Sequence, residues 1–373
     1  MLNVDRKQVL AYRIAAHGLH RRERDPVKLA VFDLGLQDSL GHTALYGLAA
    51  RLAGEVTEES LVDNLGLTLT WSHRGAPHYH RSGELASLTA ALVPLGEADA
   101  LARMGWQRKQ VAEAGLPATD ALFTAARAIR KAVNRTMSKG AASTAVTKLV
   151  PPGLSYWCRG CQATHIHEQL MRLAALPGGV RLEAGIAPAT LAPITGRGAI
   201  RTKPDAAAAT EVVAAYLRLN GPSTMTDAGG FVGTTKTVAA EMWPEGLAEV
   251  RVDGAPAFLP ETRLAELESP PEPDLVRLLP AWDLFLNTKN KALLVPEKAR
   301  QKEIWRMLGN PGVLIADGDV AGTWRAKAGG RKRLDFTFSP FWTLAPPDRG
   351  AAEAEAERVA AARSFPDLRV TWS

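Results

Sequence analysis

Cysteine is nearly absent from this chain. Cys158 and Cys161 are its only two in 373 residues and stand three positions apart, which excludes a disulfide framework and suits a reducing compartment. Long apolar runs are missing too: no stretch of about 18 uncharged apolar residues occurs, so no membrane span is expected. Near the start, Asp5, Arg6, Lys7 and Arg13 break up the hydrophobic segment a secretory leader would need. A cytoplasmic protein is the expectation. No repeat of fixed period is detectable, and neither charge dominates: 45 Lys and Arg against 39 Asp and Glu leave +6, which permits an anionic partner without requiring one. Ordinary proportions of hydrophobic (46%) and charged (23%) residues exclude a disordered or collagenous chain. At roughly 100 to 200 residues per domain, two to four domains are expected.

What is present reads as helices followed by hairpins. Residues 3–20 carry apolar side chains at helical spacing, Asp25-Pro26 opens a second helix over 27–35, and 40–52 reads as a third. Residues 65–81 then alternate like strands around Gly75-Ala76-Pro77. The order returns twice. Helices are predicted over 118–136, 141–149 and 165–176, then over 205–219 and from a start capped by Ser223 and Thr226, and Asp253-Gly254 marks a hairpin. The Pro- and Glu-rich segment 267–274 reads as a boundary. Beyond it come short strands, with a turn at Ala328-Gly329-Gly330, and a closing helix over 350–364.

Positive charge gathers in two places. Residues 101–150 hold nine Lys or Arg against two acidic residues, and Arg127, Arg130, Lys131 and Arg135 fall at helical spacing on one face. Arg325, Lys327, Arg331, Lys332 and Arg333 surround the Gly329-Gly330 turn with no acidic residue between them. Either cluster can track phosphates or simply solvate a face.

Among chemical motifs, GGFVGTTKT is not a phosphate loop, because Thr235 rather than glycine precedes Lys236. Cys158, Cys161, His165 and His167 supply four zinc-ligand types, at a spacing tighter than a usual finger and without a distant second pair; a reduced cysteine pair beside ordinary histidines is the alternative. Gln37-Asp38-Ser39 follows the Gly35 break, where polar side chains either turn toward a ligand or cap the next helix. His73, His78, His80, Arg74 and Arg81 crowd one turn.

The ordered set LGLQDS (34–39), RGxxH (74–78), YLRLNGPSTMTD (216–227), LLPAWDLFL (278–286) and VAGTWR (320–325) resembles the winged-helix DNA glycosylases of the AlkZ and YcaQ type. The resemblance spans nearly the whole chain. It implies an α+β, mainly helical fold: winged-helix units at 1–112, 113–200 and 201–266, then a β-barrel-like domain at 267–373 with a basic hairpin. It also implies a monomeric, cofactor-free enzyme acting on double-stranded DNA that is alkylated or crosslinked, associated with the nucleoid and without an obligate protein partner. Catalysis in such proteins is attributed to a Gln-x-Gln or Gln-x-Asp pair; here Gln37 matches the first member, Ser39 stands in the place of the second and Asp38 lies between them. DNA contacts are expected from Arg74, His78, Arg127, Arg130, Lys131, Arg135, Trp324, Arg325, Lys327, Arg331, Lys332 and Arg333. A DNA-binding protein without catalysis is the rival reading, and a zinc-dependent enzyme resting on the Cys158–His167 cluster is a third.

Overall fold

The computed structural model describes residues 2–39 and 42–373. The chain is α+β and packs as two compact units: Met1–Asn64 with Ala215–Asp227 and Glu245–Ser373, and Leu65–Ala214 with Ala228–Pro244. The Pro- and Glu-rich segment 267–274 lies inside the first unit.

In the first unit, Asp5 accepts the Gln8 amide and starts the helix Arg6–Ala16, whose Val9 and Tyr12 pack into one core cluster and Leu10 and Ile14 into another. The helix expected after Asp25-Pro26 is instead two 3₁₀ turns, Pro26–Lys28 and Ala30–Asp33, because Leu29 between them is extended. The helix expected over 40–52 occupies Thr43–Ala49; Leu40 and Gly41 lie outside the described residues.

The helices Ala206–Asn220 and Met225–Val232 form as expected, but the cap differs: Thr224 and Asp227 exchange the capping hydrogen bonds, rather than Ser223 and Thr226. Ser223 instead pairs with Phe258 through two backbone bonds of 2.8 Å, at the edge of the hairpin Leu247–Val252/Ala255–Pro260. Asp253 and Gly254 both take positive φ there, the turn that Asp-Gly favours.

The C-terminal segment does not close into a barrel. Its five strands form an open sheet in the order Arg277–Leu279, Gly312–Ala316, Asp319–Ala328, Arg333–Pro340, Asp367–Trp372. The last pair is parallel, so the helix Pro346–Ala362 serves as the crossover that a parallel pair requires. Its small side chains Ala352 and Ala356 let it settle onto Leu314, Trp324, Phe336 and Phe338.

The second unit contains the hairpin Leu67–Trp71/Pro77–Arg81 and an ordered run: helix Ala118–Ala132, strand Met137–Ser138, helix Lys139–Thr147, helix Glu168–Ala175, strands Val180–Leu182 and Thr190–Pro193. The last strand lies between the other two. Between the second and third helices of that run a further hairpin, Ser155–Cys158/Ala163–Ile166, is inserted. His165 therefore stands on a strand, where the sequence suggested a helix.

Candidate active site and nucleic-acid contacts

Gln37 ends a two-residue strand, Leu36–Gln37, just before the helix Thr43–Ala49. The helix start needs acceptors for its free amides, and Asp38 supplies one: its Oδ1 accepts from Ala44 N at 3.2 Å and, more weakly, from Thr43 Oγ1 at 3.5 Å. Burial pushes the Asp38 carboxyl above its ordinary value, against the opposing pull of these donors. Gln37 Nε2 donates to Ser39 Oγ at 2.6 Å, while Thr43 Oγ1 donates to the Gln37 carbonyl and accepts the Ser39 amide, each at 3.0 Å. All three motif residues are thus held by one helical turn. One turn further on, Tyr46 accepts from Arg363 Nη1 at 2.9 Å, and burial raises its phenol.

The Asp283 of LLPAWDLFL is structural. It is fully buried and binds Arg51 through two bonds, 2.7 and 2.8 Å, while also accepting the Phe285 amide. Burial opposes its ionisation, but the Arg51 guanidinium overrides this and holds the carboxyl below its usual value. Trp324, expected as a DNA contact, is a buried core side chain whose indole N–H is shared between the carbonyls of Leu279 and Val313. Around the turn between Ala328 and Arg333, Lys327, Arg331 and Lys332 are exposed, whereas Arg333 is paired with Asp335 and Arg325 donates to Gly309 O at 2.6 Å.

That last bond draws in residues without a motif of their own. Met307 and Leu308 are 96% and 85% exposed beside Arg306, whose charge faces Arg325. Two adjacent apolar residues between Arg306 and Gly309, outside any periodic pattern, are the signal the sequence offers for them.

In the second unit the histidine-rich turn is packed inward. His73, His78 and His80 are buried; Ser72 Oγ lies 2.9 Å from His78 Nδ1 and 2.8 Å from His80 Nε2. Arg74, at a φ of 56°, stacks over Phe231 at 4.9 Å and donates to its carbonyl. Of the two residues expected at the DNA, His78 is therefore buried and Arg74 is half-buried against Phe231. On the helix Ala118–Ala132, Arg127 and Lys131 are exposed, but Arg130 is bonded to the carbonyls of Arg197 and Gly198, and Arg135 lies exposed beyond the helix end.

The inserted hairpin brings Cys158, Cys161 and His165 together with their donor atoms within 4.8 Å of one another. Amides of Cys161 and Gly160, with the His165 ring, stabilise the Cys158 thiolate and lower its pKa to about 7. His167 is not in this group; it is buried and stacks on Tyr156 at 5.4 Å.

A family model described as DNA glycosylase AlkZ-like matches residues 33–362. The chain belongs to the AlkZ-like DNA glycosylase family. Among solved structures, the Streptomyces sahachiroi DNA glycosylase AlkZ is similar over 100% of both chains, with a TM-score of 0.75 and 19% identity, a likeness that speaks to the fold. No curated protein sequence matches. Membership of the AlkZ-like family places the chain among hydrolases of N-glycosyl bonds that act in DNA repair. No helix of this AlkZ-like chain, among the described residues, is long and apolar enough to cross a membrane.

Proposed function

We propose that the protein is a monofunctional glycosylase that excises alkylated purines from duplex DNA, N7-alkylguanines, bulky adducts and interstrand crosslinks included, through Gln37 and Asp38. An N7-alkylpurine is cationic and leaves readily, so the enzyme must chiefly place a water at the anomeric carbon. In the proposed step the water oxygen bonds to C1′, the C1′–N9 bond breaks, and the base departs with the bonding pair. The water proton passes to Asp38. The carboxylate also stabilises the oxocarbenium charge on the way, as carboxylates do in sugar hydrolysis. Gln37 orients the water: with Nε2 engaged by Ser39, its Oε1 is the atom left to accept a water proton. Ser39 is then a positioning residue.

One observation carries this reading: the Asp38 carboxyl is anchored on the helix start next to Gln37 and is raised by burial toward the range of a working base. Exposed Arg127, Lys131, Arg135, Lys327, Arg331 and Lys332 would supply phosphate affinity. The order helix, strand, helix, helix, two strands within 118–193 supports a winged helix there, and the helices followed by a hairpin within 206–260 support another.

Duplexes carrying a single N7-methylguanine test the proposal through the appearance of abasic sites. Loss of product with Gln37→Ala and Asp38→Asn supports it; unchanged excision by both variants overturns it. The same hydrogen bonds favour a second reading, in which 37–39 is only a helix cap and the protein binds lesions without chemistry. Tight binding with no abasic product decides for that reading.

A further inference from the structure

We propose that Cys158, Cys161 and His165 form a binding site for a tetrahedral transition-metal ion of the Zn²⁺ class at the tip of the hairpin Ser155–Ile166, with the fourth position open to solvent. The cluster lies on the inserted hairpin of the second unit and takes no part in the glycosylase proposal.

Four observations carry the inference. Cys158 ends one strand, Cys161 lies in the turn, and His165 stands on the returning strand opposite Tyr156, so three donors from eight residues converge within 4.8 Å. A tetrahedral ion with Zn–S near 2.3 Å and Zn–N near 2.0 Å sets its ligands about 3.5 to 3.8 Å apart, so closing the site needs movements of only about 1 Å.

The turn is held in the shape that convergence requires. Gln162 takes a φ of 50°, in the left-handed region that side chains other than glycine rarely adopt, and its Nε2 ties back to Arg159 O at 2.7 Å.

The histidine is prepared as a ligand. Its Nδ1 lies 3.2 Å from the Ile166 carbonyl, which can only accept, so with an ion bound Nδ1 can keep its proton on that carbonyl while Nε2 turns its lone pair to the metal. Metal-bound histidines are commonly fixed by such a bond to a carbonyl. Tyr156, edge-on at 4.8 Å, steadies the same ring.

The neighbouring carboxylate is already engaged: Glu168 Oε1 accepts Lys139 Nζ and Arg172 Nε, each at 2.6 Å, so the protein supplies two sulfurs and one nitrogen. A redox dithiol, the other common use of C-x-x-C, starts a helix in its usual setting, whereas this pair spans the turn of a two-stranded ribbon.

The test uses the reduced full-length protein. Titration with Co²⁺ is expected to give one ion per chain with thiolate-to-cobalt charge-transfer absorption and the intense visible bands of tetrahedral cobalt, displaced by Zn²⁺. Competition with a chromophoric chelator then gives the Zn²⁺ affinity. Cys158→Ser, Cys161→Ser and His165→Ala are each expected to weaken it on the order of 100-fold or more, given that loss of even an outer partner costs about 10- to 100-fold. His167→Ala leaves it unchanged. Circular dichroism of each variant separates loss of a ligand from loss of fold. Absence of the charge-transfer bands in the reduced protein, or equal affinity in a Cys158→Ser/Cys161→Ser double variant, overturns the proposal. So does a protein that only cycles between dithiol and disulfide.

Discussion

Gln37 donates its side-chain amide to the Ser39 hydroxyl at 2.6 Å, so the first residue of the Gln-Asp-Ser motif is tied to the third. If Ser39 positions Gln37, Ser39→Ala should lower the single-turnover excision rate about 10-fold, or about 1.4 kcal/mol of barrier, with little change in KM. An unchanged rate removes Ser39 from the site.

Asp38 should set the acid limb of the pH–rate profile. Burial raises its carboxyl, so the active carboxylate is lost at a pH above the ordinary aspartate value as the solution is acidified. Excision of an N7-methylguanine is therefore expected to fall with pH along that limb. Asp38→Asn should lower the rate about 10²- to 10⁴-fold and abolish the limb. A profile that keeps its acid limb in the variant assigns the base elsewhere.

Arg51 and Asp283 form a pair without solvent contact in the first unit. Asp283→Ala leaves a buried guanidinium uncompensated and should cost about 3–5 kcal/mol in urea denaturation, while a well-packed Arg51→Met/Asp283→Leu double variant should recover much of it. Equal stability of the single and double variants would show that the buried charge is not the cause.

The second unit should lose stability in mild acid. Burial first, and then the neighbouring positive groups, lower the pKa of His73 and His78 well below 6.5 and that of His80 to about 3. Above pH 6.5 neither the folded nor the unfolded chain protonates them. Below it only the unfolded chain does, so stability falls as pH drops through 6.5, by about 1.4 kcal/mol per pH unit for each histidine. Hydrogen exchange of the second unit's strands at pH 7.5, 6.5 and 5.5 measures this; protection that is flat across the series contradicts it.

The exposed basic turn should govern duplex affinity. Lys327→Glu, Arg331→Glu and Lys332→Glu together are expected to weaken binding alike for all sequences and to flatten the salt dependence, by about 0.9 in the log–log slope for each phosphate that is no longer neutralised. Fluorescence anisotropy across a salt series reads both. An unaltered slope places the DNA elsewhere.

What the sequence determined was local. Asp253-Gly254 specifies its hairpin because a two-residue turn with positive φ at both positions is a property of those residues alone, and the Gly329-Gly330 pair marks a longer connection, 329–332, in which Gly330 takes positive φ. The ordered motifs located the family, and Gln37-Asp38-Ser39 was visible as either a ligand site or a cap. In the folded chain Asp38 takes the Ala44 amide at the helix start. Burial was not legible, because it depends on which distant segments pack together. Tertiary structure alone turned three histidines inward, two of them onto Ser72, spent Arg74 on Phe231, Arg130 on the 197–198 carbonyls and Trp324 on the core, and left His167 out of the Cys158–Cys161–His165 cluster. It also decided that the last five strands stay open, since the parallel addition of Asp367–Trp372 leaves an edge where a barrel would need closure. A residue's type sets what chemistry it can offer, but its solvation and partners, which the fold supplies, decide whether it offers it.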